Sequence, residues 1–187
     1  MTHRVHPYIF RVGETRPWKS RWFNKKKFST YLMEDSKLRE WLQPKLAASH
    51  IETIEIERSP NTLHIIIKTA RPGILIGRGG EGADRLKGEI KQQINKVWKR
   101  FHIVPEKRDI KVTIEEVRSP ETHAAIVGQM IVEDLQSRKQ FRRVLKQMLE
   151  KVMASREVKG VKIVLKGRLD GAEMARYEWG KKGRIPL

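Results

Sequence analysis

The chain has 187 residues, with 40 Lys and Arg against 22 Asp and Glu, which gives a net charge of +18. Solubility needs a net charge of only about 2–8 in magnitude, so this excess points to a polyanionic partner. The absence of cysteine excludes disulfides, cysteine zinc sites and thiol catalysis, and no apolar run is long enough to span a membrane.

Residues 1–24 are predicted to form an irregular arm, because Pro7, Gly13 and Pro17 interrupt it. A segment with basic side chains and aromatic side chains that can stack is suited to becoming ordered when it binds structured RNA. For Trp22, covering the core is an equally good interpretation. The predicted RNA contacts of the arm are His6, Arg11, Trp18, Lys19 and Trp22.

The segment 25–118 begins with a predicted helix over 26–48, in two pieces, with Asp35 or Ser36 capping the second piece and Pro44 weakening it. Two strands follow, IETIEIERS and TLHIIIKTA, in which apolar residues alternate with polar ones. The turn residues Ser59-Pro60-Asn61 between them predict an antiparallel hairpin.

Beyond a glycine loop, a long helix from Ala83 carries an apolar stripe that ends at Trp98. A loop at 101–108 then leads to a third strand, DIKVTIEEV. This order of helix, strand, strand, short turn, helix and strand is that of a type II (prokaryotic) KH domain, a small RNA-binding fold.

The second domain is predicted over 119–187, after a boundary at VRSPET. It contains helices near 121–137 and 139–155, a strand at Val161–Lys166 and a glycine-punctuated end. The fold class is therefore α+β, with an N-terminal KH domain followed by a second small domain of two helices packed on a short sheet.

The loop GRGGEG at 77–82 fits both a dinucleotide-binding turn and the G-x-x-G clamp of KH domains. A dinucleotide turn needs a strand directly before its first glycine and a parallel, acid-ended strand after its helix, and neither is present. A Walker loop is excluded because no Gly-Lys-Ser/Thr follows.

The context therefore favours an RNA clamp, in which glycines bring backbone N–H groups against the sugar-phosphate chain. A plain tight turn is the alternative, and Gly82 is interpreted as a bystander at the helix start. The predicted contacts of the clamp are Gly77, Arg78, Gly79, Gly80, Arg85 and Lys87.

The segment QSRKQFRRVLKQMLEKVMASR places basic side chains opposite an apolar helix face. No acid lies between 137 and 148, whereas solvated helix faces usually mix charges of both signs. The pattern favours phosphate binding, with a solvated face as the alternative. The basic residues are Arg138, Lys139, Arg142, Arg143 and Lys146.

No catalytic or metal-binding constellation is found. The six histidines are scattered without metal spacing, and the paired acids Glu115-Glu116 and Glu133-Asp134 point to different sides of their elements. The sequence therefore predicts no enzyme activity, no metal and no cofactor.

Several motifs together resemble a known family: VHP near the start, W-x-S-x-W-F at Trp18–Phe23, TARPGILIGRGGE, FRRVLK, and GRLDGAEMARYEWGKKGRIPL at the end. On these motifs the whole chain is similar to the universal small-subunit ribosomal protein S-three family in its bacterial form.

The resemblance implies a structural protein in the head of the small ribosomal subunit, in the cytoplasm or in an organelle ribosome of bacterial type. It implies binding to ribosomal RNA. It also implies that a helix of the second domain lies along the mRNA entry channel, where Arg142, Arg143 and Lys146 grip the mRNA. Implied protein neighbours are S-ten, S-fourteen and S-two. Implied RNA contacts near the end of the chain are Arg168, Arg176, Lys181, Lys182 and Arg184.

The chain departs from the family pattern at Asp170, in its glycine-rich loop and in the length of 98–108. The family also continues beyond the GR-x-PL motif, so a further tail or a short member is expected. A KH-containing RNA-processing factor is the second hypothesis, which a catalytic domain would support.

Overall fold

The protein is described by a computed structural model over residues 5–101 and 108–185. The chain divides into two compact units, Met1–Glu116 and Val117–Leu187. The predicted loop at 101–108 lies largely outside the described residues. The limits 25–118 and 119–187 stay predictions, while both units have the mixed helix and strand content of the predicted α+β class.

The first unit contains four α-helices and four strands within its described part. They are α1 (Pro7–Phe10), β1 (Ser20–Arg21), α2 (Phe28–Lys45), β2 (Ile51–Arg58), β3 (Thr62–Thr69), α3 (Pro72–Ile76), α4 (Glu81–Arg100) and β4 (Asp109–Glu116). From α2 to β4 this is the element order predicted for a type II KH domain, and it is confirmed.

The sheet of the first unit has the strand order β1-β2-β3-β4. The predicted hairpin is confirmed, since β2 and β3 are antiparallel with Ile56 opposite Ile65. Strand β4 returns parallel to β3, with Val112 opposite Ile65, and ends at Glu116. A parallel, acid-ended strand therefore does follow the helix, and the prediction that none is present is wrong. What argues against a dinucleotide-binding turn is α3, which separates β3 from the first glycine of the loop. Because strand side chains alternate between faces, Leu63, Ile65 and Ile67 all enter the core.

Helices α2 and α4 contribute the other side of this core. Leu38 and Leu42 of α2 and Ile90 and Ile94 of α4 are buried against the strands at the three- and four-residue spacing of an amphipathic helix. Lys45 of α2 also donates to the carboxylate of Glu89 on α4, and this hydrogen bond lowers the pKa of Glu89 from its ordinary value.

Helix α2 differs from its prediction. It is one continuous helix rather than two pieces, because Pro44 lies in the last turn and the helix ends at the next residue. Asp35 does not cap a helix: it is fully buried, and its carboxylate accepts from Ser20, Trp22 and Arg58. Tertiary partners, rather than local capping, therefore account for this acid.

The N-terminal arm is also more ordered than predicted. His6 accepts a hydrogen bond from the backbone N–H of Tyr8 through Nδ1 and starts the short helix α1. Ser20 and Arg21 pair parallel to β2, with Ser20 opposite Ile56. The arm therefore adds an edge strand to the sheet, a long-range pairing that the local sequence pattern does not show.

The second unit contains α5 (Ala124–Gln136), α6 (Phe141–Met153), β5 (Gly160–Gly167) and β6 (Arg176–Gly183). A single turn of 3-10 helix, Pro120–Thr122, precedes α5, so the predicted helix start at 121 is three residues early. Strands β5 and β6 form an antiparallel pair that packs on α6, which confirms two helices with a short sheet.

Candidate nucleic-acid interface

The glycine loop lies between α3 and α4 and has the backbone that its sequence predicts. Gly77, Gly79 and Gly80 have φ of +68°, +64° and +88°, a region that side chains bearing a Cβ disfavour. Arg78 is exposed in the middle of the loop. The loop therefore presents bare backbone and one guanidinium to solvent, as close contact with a phosphate chain requires.

Gly82 is not a bystander, and that interpretation is wrong. A Cβ at Gly82 would lie 2.5 Å from the carbonyl oxygen of Leu75 and 2.8 Å from that of Ile76. The glycine thus allows the first turn of α4 to pack directly on the backbone of α3. The place of Gly82 in the glycine motif was the signal that the sequence offered.

The flanks of the loop combine charge with exposed apolar surface. The predicted contacts Arg85 and Lys87 are exposed on α4, and Arg85 Nε lies 3.5 Å from Glu89 Oε1. Ile74 and Ile76 of α3 are 57% and 40% exposed beside the glycines. These two isoleucines were missed by the sequence analysis, because a helix of five residues has too few positions to reveal which face is solvated.

Helix α6 separates an apolar face from a basic one. Phe141, Val144 and Met148 are buried, while the predicted cations point to solvent. We define the basic stripe as Arg142, Arg143 and Lys146. Within the described part of the chain, no carboxylate forms an ion pair with these three residues. This includes the carboxylate of Glu150, which lies one turn further along α6.

Lys139 does not belong to the basic stripe. Its ammonium pairs with the carboxylate of Asp134, which lies on the preceding helix and outside the acid-free run of the sequence. Arg138 beside it has a φ of +61°, so it occupies the turn between α5 and α6. The prediction that Lys139 lacks an acid partner is therefore corrected, because the turn brings Asp134 back to it.

Trp22 takes the second of its two predicted roles. Its indole Nε1 donates to Asp35 at 2.8 Å, and its ring packs 5.5 Å from Phe28 and 5.4 Å from Tyr31, measured between centroids. The structure thus favours packing for Trp22. Trp18, in contrast, is 68% exposed and available for stacking.

Arg11 and Lys19, the two predicted RNA contacts of the arm that are Arg or Lys, make only light contacts with the protein. Arg11 donates to the carbonyl of Pro7 at 2.9 Å, and Lys19 Nζ lies 4.7 Å from the ring centroid of Tyr8. Neither contact neutralises a charge, so both side chains keep their attraction for phosphate.

The predicted cations near the end of the chain are all exposed on or beside β6. Arg168 donates to the carbonyl of Ala172 at 2.9 Å across a turn in which Asp170 has a φ of +53°. An aspartate tolerates this left-handed conformation better than most residues. The exposed set is Arg168, Arg176, Lys181, Lys182 and Arg184.

Three acids of the first unit, Glu34, Asp35 and Glu55, lie in internal ion pairs. Arg58 binds both Glu34, at 3.0 Å, and Asp35, and all three side chains are at most 3% exposed. Glu55 lies 2.8 Å from Lys68 Nζ, and that hydrogen bond raises the pKa of Lys68 from its ordinary value. These three acids are therefore neutralised by neighbouring cations within the first unit.

Among the described residues, no group of three or more His, Asp or Glu side chains is arranged to hold a metal ion. In the same part of the chain, none of the helices has the length and apolar character needed to cross a membrane.

A KH fold with an exposed glycine loop, joined to a second unit with a basic helix, defines a class of RNA-binding protein. Comparison with known families agrees. The KH domain profile matches residues 37–122, and the profile described as "Ribosomal protein S3, C-terminal domain" matches residues 131–187.

Relatives match over the whole chain. The small ribosomal subunit protein uS3 of Koribacter versatilis is 42% identical over 187 residues, which are 100% of this chain and 78% of the relative. The uS3 proteins of Desulfosudis oleivorans and Endomicrobium trichonymphae are each 41% identical over all of this chain and over 82% and 75% of their own lengths.

The chain therefore belongs to the bacterial ribosomal protein S-three family. Its members are structural, non-enzymatic proteins of the small ribosomal subunit, and the KH domain makes the chain an RNA-binding protein of translation.

Proposed function

We propose that this protein is a structural constituent of the small-subunit head, where it binds ribosomal RNA and grips incoming mRNA. The glycine loop, the arm and the exposed cations near β6 bind ribosomal RNA. The basic stripe of α6 lines the mRNA entry channel. The head proteins S-ten, S-fourteen and S-two are the proposed neighbours, in a cytoplasmic ribosome or an organelle ribosome of bacterial type.

The observation that carries the mRNA role is the unbalanced charge of α6. Three exposed cations follow one another along the helix, and no described carboxylate pairs with them. The opposite face of α6 is buried in the core of the second unit, so all three cations lie on the solvent-exposed side of the helix. Arginine adds bidentate phosphate contacts, which hold a passing backbone without reading its sequence.

The triple variant Arg142→Ala/Arg143→Ala/Lys146→Ala is expected to weaken binding to single-stranded RNA and to flatten the log–log salt dependence. Each lost phosphate contact removes about 0.7 from that slope, so three contacts remove about two units. Fluorescence anisotropy over a series of KCl concentrations measures both quantities. Equal slopes for the variant and the parent would contradict the proposed role of the stripe.

Location in the channel is tested in assembled subunits. A photo-crosslinking residue at position 143 is expected to label mRNA downstream of the decoding site, because the stripe faces the incoming strand. The same residue at Lys151, which pairs with Glu121 at 3.8 Å, serves as the control on α6. Crosslinks from position 143 to ribosomal RNA alone would place the stripe outside the channel.

A further inference from the structure

The hairpin of β5 and β6 has an outer face of which only Lys181 is among the RNA contacts described so far. Strand residues alternate between faces, and Ile163 and Leu165 of β5 are buried towards α6. Gly180 of β6 faces the same helix, since a Cβ there would lie 2.5 Å from Leu145 Cδ2. The outer face consists of the alternate residues Lys162, Val164, Lys166, Tyr177, Trp179 and Lys181.

Two aromatic rings lie open on this outer face. Tyr177 is 52% exposed and Trp179 is 49% exposed, and Val164, which is opposite Trp179, is 40% exposed. Large aromatic side chains on one sheet face normally pack against another element. Nothing in the described part of the second unit covers them, so this face is open to solvent and accessible to a partner.

The lysines of the outer face surround these rings. Lys166 Nζ lies 5.0 Å from the centroid of Tyr177, and the Nζ atoms of Lys162 and Lys181 lie 5.9 and 5.7 Å from that of Trp179. Cations at these distances are attracted to the aromatic rings. Rings on which bases stack, combined with positive charge beside them, are typical of sites that bind single-stranded nucleic acid.

The cross-strand register shows that this charge is unbalanced. Lys162 lies directly opposite Lys181, and like charges in such a pair destabilise a sheet. The outer face contains no acid to relieve the repulsion. A bound polyanion would relieve it, which makes the partner anionic.

The spacing of the rings selects the form of the polyanion. Tyr177 and Trp179 are two residues apart on one strand, and each residue rises about 3.4 Å, so their side chains lie about 6.8 Å apart. Stacked bases of one strand are only about 3.4 Å apart. The face therefore suits bases that have been separated from one another, as in single-stranded RNA.

We propose that the outer face of the hairpin is a second, stacking RNA site. Trp179 and Tyr177 each stack on an unpaired base, and Lys162, Lys166 and Lys181 bind the flanking phosphates. The inference rests on the proposed RNA-binding function and adds to it a named site and the class of ligand, an unpaired segment of RNA. The three lysines make an apolar protein surface the poorer fit.

The test uses the full chain and a ten-nucleotide oligouridylate with a fluorescent label. Trp179→Ala is expected to weaken binding about 5- to 150-fold, the loss that removal of one base-stacking ring causes. Trp179→Phe keeps a ring and is expected to stay within a few-fold of the parent. Lys181→Ala is expected to flatten the salt slope by about 0.7.

A second readout locates the RNA. Oligouridylate containing 4-thiouridine is expected to crosslink to the β6 peptide, at Tyr177 or Trp179. If Trp179→Ala does not fold, as judged by circular dichroism, the charge-reversed variant Lys166→Glu replaces it and is expected to lose both affinity and the crosslink.

The outcomes separate this site from the proposed function. Unchanged affinity of Trp179→Ala, together with a loss in the α6 triple variant, would overturn the hairpin site and leave the proposed function intact. Loss in Trp179→Ala but not in Trp179→Phe supports the site. Unchanged RNA binding combined with loss of a neighbouring protein from assembled subunits would assign the outer face to a protein and overturn the proposal.

Discussion

Replacing Arg58 by Ala is expected to destabilise the first unit by about 3–5 kcal/mol, the loss that follows when one partner of a buried ion pair is removed. Arg58 donates to Glu34 through Nη1 and to Asp35 through Nε and Nη2. Both carboxylates are at most 1% exposed. Without the guanidinium, they are left in the core with too few donors.

The measurement is urea unfolding of the full chain, with amide exchange in β3 as a direct reading of the first unit. Arg58→Lys retains the charge but reaches only one carboxylate, so we expect an intermediate loss. Lys37→Ala removes an exposed cation that pairs with Glu40 at 2.8 Å and is expected to leave the transition unchanged. A loss for Arg58→Ala no greater than that for Lys37→Ala would refute the structural role of the buried network.

Gly82→Ala is the second change with a large expected effect. Its Cβ would overlap two backbone carbonyls of α3, which cannot move aside as a flexible side chain can. Overpacking of this kind costs about 1–3 kcal/mol. Because α4 must then shift, the glycine loop is displaced, and we expect RNA affinity to fall together with stability.

The same helix offers a matched control. Gly88 is exposed in the middle of α4, and a Cβ there meets no atom within 4 Å. Gly88→Ala is therefore expected to stabilise the protein by about 0.5–1 kcal/mol through higher helix propensity, with RNA binding unchanged. Thermal melts and anisotropy titrations compare the pair. Equal effects of the two substitutions would mean that the contact between α3 and α4 does not require a glycine.

The KH portion of the fold could be predicted from the sequence because its signals are local. Alternation along β2 and β3, the Ser59-Pro60-Asn61 turn and the apolar stripe of α4 each lie within a window of ten to twenty residues. The three positive-φ glycines were likewise readable, since Gly is the residue that the left-handed region favours.

The missed features depend on residues that are distant in the chain. From the local sequence, Asp35 is predicted to cap a helix, but in the structure its carboxylate binds Arg58. Lys139 is predicted to have no acid partner, but the turn before α6 brings it to Asp134. Gly82 is predicted to have no role in the loop, but a Cβ at this position would lie 2.5 Å from the carbonyl oxygen of Leu75. The close approach of two backbones and the pairing of distant residues depend on the tertiary structure. The local pattern of apolar and polar residues in the sequence does not show them.

Only part of the outer face of the hairpin could be predicted from the sequence. Lys181 was predicted as an RNA contact from the family resemblance, but Tyr177 and Trp179 were not, because the register of β6 against β5 was unknown. Only that register shows that the lysines of both strands lie on the same side as the two rings.

The parallel pairing of Ser20 with Ile56 has a consequence for the order of events during synthesis. The residues that complete β1 are made first, but their partner strand follows 36 positions later. At about 5–20 residues per second, the N-terminal segment waits about 2–7 s before it can join the sheet. We therefore expect the first part of the chain to leave the ribosome to join the sheet only after β2 has emerged.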